Sequence, residues 1–297
     1  MKTIGIAFLK KCRHFGFLTL LVAMCFGATF TSCHIQSSEN DITPWIKVDD
    51  FESDNPMKSW THVDTENNTK PKIENPQVSE VRTEDAEQNN YLIKKPALEG
   101  VVGNRKAVSF KKLPVAVELG ETYTFYIRIK VEYFPNNHVF GWGSLEPDGI
   151  LENVYNGFEP SLRVTDRYDR QLEAKNDGTL MVRKDPWYDK IFNFQSNRIA
   201  KPMELNTWYS VWCVANNSIA SVGGQKYDVY IQGGEEFPDQ QKVYEGADFR
   251  MKREQPIIYF QATCNTGPAE NPYGNGGVSF DDMYMAKGVT LTTPSRK

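Results

Sequence analysis

The stretch Glu121–Phe134, ETYTFYIRIKVEYF, alternates with a period of two. Tyr123, Phe125, Ile127, Ile129 and Val131 fall on one side, and Thr124, Tyr126, Arg128, Lys130 and Glu132 on the other. Successive side chains of a strand point to opposite faces, so this pattern predicts a strand with an apolar face on a core and a polar face toward water. The same rule applied to KYDVYIQGG (226–234) turns Tyr227, Val229 and Ile231 inward and Asp228, Tyr230 and Gln232 outward, with Gly233-Gly234 ending the strand.

Further strand candidates are HVFGWGS (138–144), SLRVT (161–165), TLMVRK (179–184), PIIYFQATC (256–264) and VSFDDMYMA (278–286). Turn signals at 176–178 (NDG) and 274–277 (GNGG) punctuate them. In ELNTWYSVWCVANN (204–217), alternation puts Tyr209, Val211, Cys213 and Ala215 in the core. It leaves Trp212 on the opposite face, where the ring is either core or platform, and makes Trp208 a packing anchor. There is no repeat and no long amphipathic helix. The expected fold is all-β: a two-sheet antiparallel sandwich, in one domain over residues 45–297. Residues 53–90 read as polar loops with short strands. Residues 145–160 and 185–206 read as long loops, where sandwiches tend to carry function.

The first forty residues address the compartment. Lys2, Lys10, Lys11 and Arg13 precede the uncharged run FGFLTLLVAMCFGATF (15–30), the pattern of a secretory signal and too short for comfortable membrane spanning. Phe30-Thr31-Ser32-Cys33 resembles the lipobox of bacterial lipoproteins, with Phe at the usual Leu position. That resemblance implies residues 1–33 as a lipoprotein signal with lipidated Cys33, residues 34–44 as a flexible tether, and an exported, lipid-anchored domain at the outer membrane or cell surface. Without residues 1–33 the chain has 30 Lys and Arg against 38 acids, a formal charge of −8. So acidic a chain has no general affinity for nucleic acid or anionic membrane, and its membrane contact is expected through lipid alone. Cys213 and Cys264 permit either one disulfide or two buried thiols. His34, His62 and His138 stand at no metal-ligand spacing with a cysteine.

DDFES (49–53), WYSVWCVANN (208–217) with YDVYIQGG (227–234), and VSFDDMYMAKGVTLTTP (278–294) together resemble the laminin-G-like or concanavalin A-like sandwich domains of secreted bacterial carbohydrate-related proteins. The resemblance implies a jelly roll whose first and last strands are adjacent and whose concave face accommodates glycans. Combined with a lipid anchor, the chain is similar to surface glycan-binding lipoproteins that sit beside outer-membrane polysaccharide importers. It also implies a structural Ca²⁺, held by Asp49, Asp50, Asp281 and Asp282 if the first and last strands pair. No other cofactor is expected.

Several enzymes share this sandwich. A retaining glycosidase needs two carboxylates about 5 Å apart, commonly on one strand as E-x-D-x-x-E, and that run is absent. A polysaccharide lyase needs a base and a group that neutralises the uronate carboxylate. YFQATCN (259–265) resembles in part the YFKAGxYxQ strand of alginate-lyase-like jelly rolls, but Asn265 stands at the catalytic tyrosine and Gln261 at the lysine. A lyase acting on uronate-containing glycan by β-elimination would then rest on His138 as base, on Arg128, Arg163 or Arg183 as carboxylate clamp, and on Tyr259. No G-x-S-x-G elbow or phosphate-cradling loop is present.

The leading expectation is therefore a non-catalytic protein that binds polysaccharide through a concave sheet face. Tyr126, Arg128, Lys130, Tyr230 and Gln232 are the outward candidates, with Trp187, Tyr188 and Trp212 as stacking rings. The mixture of cations and aromatics suits an anionic sugar. A third class, an envelope adhesion or scaffolding protein, requires loops 145–160 and 185–206 to cover that face.

Overall fold

In a computed structural model, residues 45–84, 86, 88–169 and 173–295 are described. Fifteen strands build the sandwich: β1 Ile46–Asp49, β2 Trp60–Asn67, β3 Val78–Glu84, β4 Asn89–Lys95, β5 Asn104–Val117, β6 Thr122–Val131, β7 Asn137–Gly143, β8 Ser161–Thr165, β9 Met181–Lys184, β10 Trp187–Lys190, β11 Trp208–Asn216, β12 Lys226–Gly233, β13 Phe237–Asp248, β14 Ile257–Cys264 and β15 Val278–Lys287. One sheet has the order β13-β12-β11-β6-β15-β4-β3, with β1 also pairing β15; the other runs β10-β9-β8-β7-β14-β5-β2. All these pairings are antiparallel. The all-β sandwich expected from alternation is the fold, and its first and last strands are adjacent.

The core lies between the sheets, where inward positions meet. Phe125, Ile127, Ile129 and Val131 of β6 are wholly buried, as are Phe140 of β7 and Phe280 of β15. Trp142 of β7 stacks on Phe125 of β6 with ring centroids 4.3 Å apart, joining the two sheets. Cys213 and Cys264 are both buried free thiols.

The structure departs from the sequence reading at the outer face of β6, which does not meet water. Tyr126 is buried there with Trp212 and Tyr284, and Trp45 and Leu291 from the two ends of the domain pack over them. Trp212 is fully buried, and its indole Nε1 donates to the Thr292 carbonyl at 3.0 Å. This ring is thus the centre of a second small core. Residues 145–160, read as a loop, contain a seven-residue helix, α1 (Pro147–Asn153), and a 3-10 turn over Val154–Gly157. The leader, Cys33 and the tether lie outside the described residues.

A candidate anion-binding cleft

The outer face of the seven-stranded sheet is covered on only one half. There, Ile150 and Val154 of α1 and its following turn pack on Val108, Phe110 and Tyr259. Two glycines of β7 allow this close approach: a Cβ on Gly143 would lie 2.3 Å from the Gly157 carbonyl, and one on Gly141 would lie 2.2 Å from the Pro160 carbonyl. The returning chain hydrogen-bonds to β7 through Trp142 N to Pro160 O at 3.0 Å and Glu159 N to Trp142 O at 2.7 Å. The uncovered half, over β7, β8 and the β9–β10 hairpin, is a cleft of about 390 Å³.

Strand parity decides what lines it. Val139 of β7 lies opposite Arg163 of β8, which lies opposite Met181 of β9, and Arg183 lies opposite Tyr188 across the hairpin. Leu162, Val164 and Val182, the intervening residues, enter the core. Asn137, Arg163, Arg183 and Tyr188 are therefore displayed on the cleft side, joined by Tyr155 from the turn after α1 and by Arg105, Lys106, Arg167, Arg250, Asn265 and Tyr273. Six cations line this cleft against two acids, Glu66 and Asp169, in a chain whose overall formal charge is −4.

Arg163 is the buried centre, 5% exposed. Its Nη2 donates to Asn137 Oδ1 at 3.1 Å, Asp169 approaches Nη1 only to 3.8 Å, and its guanidinium lies 5.2 Å from the Tyr188 ring centroid. Burial, and then the neighbouring Arg167, pull the Arg163 pKa down to about 10. Arg183 lies 5.6 Å from the same Tyr188 ring and ties the hairpin together by donating to the Trp187 carbonyl at 3.1 Å and to Asp185 at 3.0 Å. Arg167 lies over Tyr273 at 5.0 Å. The Tyr155 hydroxyl accepts a hydrogen bond from Asn265 Nδ2, and burial pushes its pKa up to about 12. Because the oxygen accepts from Asn265, the phenolic proton is free to be donated elsewhere.

The sequence-level candidates divide. Trp187, Tyr188 and Arg163 line the cleft, with Trp187 39% exposed at its rim. The other glycan candidates belong to the eight-stranded sheet. Tyr126 and Trp212 are buried, the Tyr126 hydroxyl pairing with Ser210 at 2.9 Å. Lys130 is bound to Glu84 at 3.3 Å and stacked at 4.5 Å over Trp208. Arg128 is engaged by Asp281 and Asp282, Tyr230 lies under Lys242, and Gln232 donates to the Pro238 carbonyl.

The lyase candidates divide similarly. His138 is one residue out of phase: Asn137 faces the cleft, while His138 is 1% exposed on the core side, shares its Nε2 with the Gly276 carbonyl at 2.8 Å, and is held down to a pKa of about 3 by burial. Tyr259 lies beneath α1, its hydroxyl 3.3 Å from Glu146.

The four carboxylates expected around calcium are held by the chain's own donors. Asp49 receives Trp60 Nε1 at 2.7 Å and Lys111 at 2.8 Å, and Asp50 receives Lys47 at 2.8 Å. Asp281 and Asp282 share Arg128 at 3.4 and 3.3 Å. Among the described residues no group of three or more His, Cys, Asp or Glu is placed to hold a metal ion. Arg128 is thus a counter-ion of both Asp281 and Asp282.

Sequence reasoning reached Tyr155 only as an aromatic of the 145–160 segment, and it missed Asn137, Arg167 and Tyr273 as lining residues. Parity at β7 could have identified Asn137; Arg167 and Tyr273 lie outside the fifteen strands, where periodicity carries no information.

No protein-family model matches the chain, and no curated protein matches it. Among solved structures it is similar to a marine PL-14 alginate lyase from Aplysia kurodai, at 12% identity over 79% of this chain and 92% of that one, with a TM-score of 0.46. It is similar to the catalytic domain of a GH131 β-glucanase from Podospora anserina at 10% identity, over 87% and 90% of the two chains, with a TM-score of 0.43. The lectin UEA-II, complexed with galactose, matches at 6% identity over 78% and 99%, with a TM-score of 0.41.

Proposed function

We propose that this domain binds an anionic, uronate-bearing polysaccharide in the cleft of the seven-stranded sheet. The observation that carries the reading is the concentration of six cations against two acids in one cleft of a net acidic chain. Rings at Tyr188, Trp187 and Tyr273 supply the apolar surfaces that sugar faces need, and donors outnumber acceptors, which suits carboxylate oxygens. The 145–160 segment covers only half of the sheet face, which favours a binding groove over a closed scaffolding surface. The signal-like leader and lipobox-like Cys33 support display at the outer membrane or cell surface, beside an importer that would take up the captured glycan. The test is calorimetric titration of the purified protein with polygalacturonate, alginate and a neutral glucan. Polyuronate binding that weakens with added salt is expected; binding of none, or equal binding of the neutral glucan, refutes the proposal.

A second reading, β-elimination, is favoured by one observation: Tyr155 presents a neutral phenol in the same cleft as Arg163 and Asn137. With the uronate carboxylate neutralised by Arg163 and Asn137, the C5 proton is acidified. A base removes it, the C4–C5 double bond forms as the C4–O4 bond breaks, and Tyr155 gives its proton to the departing O4. Tyr188, whose hydroxyl is buried and has no hydrogen-bond partner among the described residues and whose ring lies by two guanidinium groups, is the candidate for the base role. Unsaturated product absorbing near about 235 nm is expected of that chemistry. Its loss in Tyr155→Phe with binding retained supports the reading, and its absence across uronate polymers overturns it.

A further inference from the structure

We propose that the preferred ligand carries sulfate esters as well as carboxylates, the carboxylate seated on Arg163 and Asn137 and a sulfate on the adjacent Arg167. The inference rests on the anionic-glycan reading and asks which anionic glycan the cleft fits. Of its six cations, Lys106 is bound to Glu66 at 3.0 Å and Arg183 to Asp185 at 3.0 Å. Arg163 has a carboxylate only at 3.8 Å, and among the described residues Arg105, Arg167 and Arg250 have none within ion-pair distance.

Arg167 Nε, Arg183 Nε and the Tyr188 hydroxyl are buried atoms of residues that line the cleft, and among the described residues none of the three has a hydrogen-bond partner. A guanidinium can only donate, so two of these three groups require an acceptor. Sulfate esters and carboxylates accept and never donate at neutral pH. Arg167 lies close enough to Arg163 to depress its ionisation, which leaves positive charge in a partly desolvated space without local compensation. A cleft of about 390 Å³ takes a ligand of roughly disaccharide size. A disaccharide of uronates brings at most two carboxylates, so the lining would keep cations uncompensated, at the cost that desolvated charge carries. A sulfated uronate unit brings the missing negative charge on the same scaffold.

The test uses matched polymers with the purified protein at constant ionic strength: heparin against its fully desulfated, N-acetylated form, chondroitin sulfate against chondroitin, and dextran sulfate, which lacks carboxylates. The sulfated uronates are expected to bind about tenfold tighter than their desulfated partners, the worth of one charge-assisted contact. Arg167→Gln should weaken binding of the sulfated uronates about tenfold and of the desulfated polymers by less, erasing the preference; Arg167→Lys should restore part of it, and Arg163→Gln should weaken both classes. Equal affinity for sulfated and desulfated polymers overturns this inference and leaves the anionic-glycan reading standing. Binding of neither overturns both. Dextran sulfate binding as tightly as the sulfated uronates overturns the joint seat for carboxylate and sulfate.

Discussion

Replacing Arg163 by Met should make the unliganded domain more stable while weakening its hold on a polyanion. Arg163 is 5% exposed, and its pKa falls from 12.5 to about 10 because of burial and the nearby Arg167. That depression corresponds to about 3 kcal/mol disfavouring the charged form in the folded state. A base whose pKa is lowered by folding loses stability as pH falls from the unfolded value through the folded one, so at pH 7.5 the whole penalty is present. Against the relief stand two losses. The hydrogen bond to Asn137 at 3.1 Å contributes about 1 kcal/mol. The contact with the Tyr188 ring at 5.2 Å contributes about 1 kcal/mol more. The net is a gain of about 1 kcal/mol, or roughly 2–4 °C in Tm for a domain of this size. Differential scanning calorimetry of wild type and variant in ligand-free, low-salt buffer reads it directly. Millimolar inorganic sulfate should raise the wild-type Tm more than that of the variant, because only the wild type keeps the full cation cluster. A variant Tm lower than wild type by several degrees would show that Arg163 is a structural keystone, and the account of an anion seat held in strain would fail.

His138 is held to a pKa of about 3 against an ordinary 6.5, chiefly by burial, so its contribution is fully present above pH 6.5 and is lost as pH falls toward 3. The loss amounts to about 5 kcal/mol; His138→Gln should flatten the acid limb of a urea-midpoint profile, and an unchanged slope would place the acid sensitivity elsewhere. Gly143→Ala puts a Cβ 2.2 Å from Gln261 Nε2 and 2.3 Å from the Gly157 carbonyl, so the turn carrying Tyr155 must lift. A loss of about 2 kcal/mol by chemical denaturation is expected, together with weaker polyanion binding; normal affinity would mean that the turn does not shape the cleft. Trp187→Ala at the rim should weaken binding by about fivefold with Tm nearly unchanged. Trp212→Ala should instead cost about 3–5 kcal/mol of stability and leave the affinity of the folded protein unaltered. If the two effects were exchanged, glycan would bind on the eight-stranded sheet.

The fold was legible because period-two alternation survives in most strands. Ile127 and Ile129 bracket Arg128, and Val229 and Ile231 bracket Tyr230, as a sheet buried on its inner side requires. What alternation could not reveal is which outer face stays open. Tyr126, Arg128 and Lys130 form one row of polar outward positions and Asn137, Arg163 and Arg183 another, and Arg163 is bracketed by buried Leu162 and Val164 just as Arg128 is by Ile127 and Ile129. The difference lies in what packs above each row, and that is set by segments far away in sequence. Trp45 and Leu291 close the first. Over the second, α1 stops short, because Gly141 and Gly143 draw the returning chain down onto β7. His138 illustrates the limit within a single strand: a shift of one position exchanges a core residue for a lining one.

The two outer faces also manage charge in opposite ways. On the eight-stranded sheet each cation meets an acid of the chain: Arg128 has Asp281 and Asp282, Lys130 has Glu84, and Lys242 has Asp228. Such pairs are complete in themselves and leave an incoming anion little to gain, because binding it would require separating charges already neutralised. In the cleft of the seven-stranded sheet the acids are too few: Arg167 depresses the ionisation of Arg163, and Asp169 comes no nearer than 3.8 Å to the latter. An arrangement that raises the energy of the empty state lowers the relative energy of the anion-bound state by the same amount. The cation surplus is therefore more than a count of lysines and arginines. It is the part of the surface where the chain's own acids leave the compensation to a ligand, and it coincides with the half of the sheet that α1 leaves uncovered.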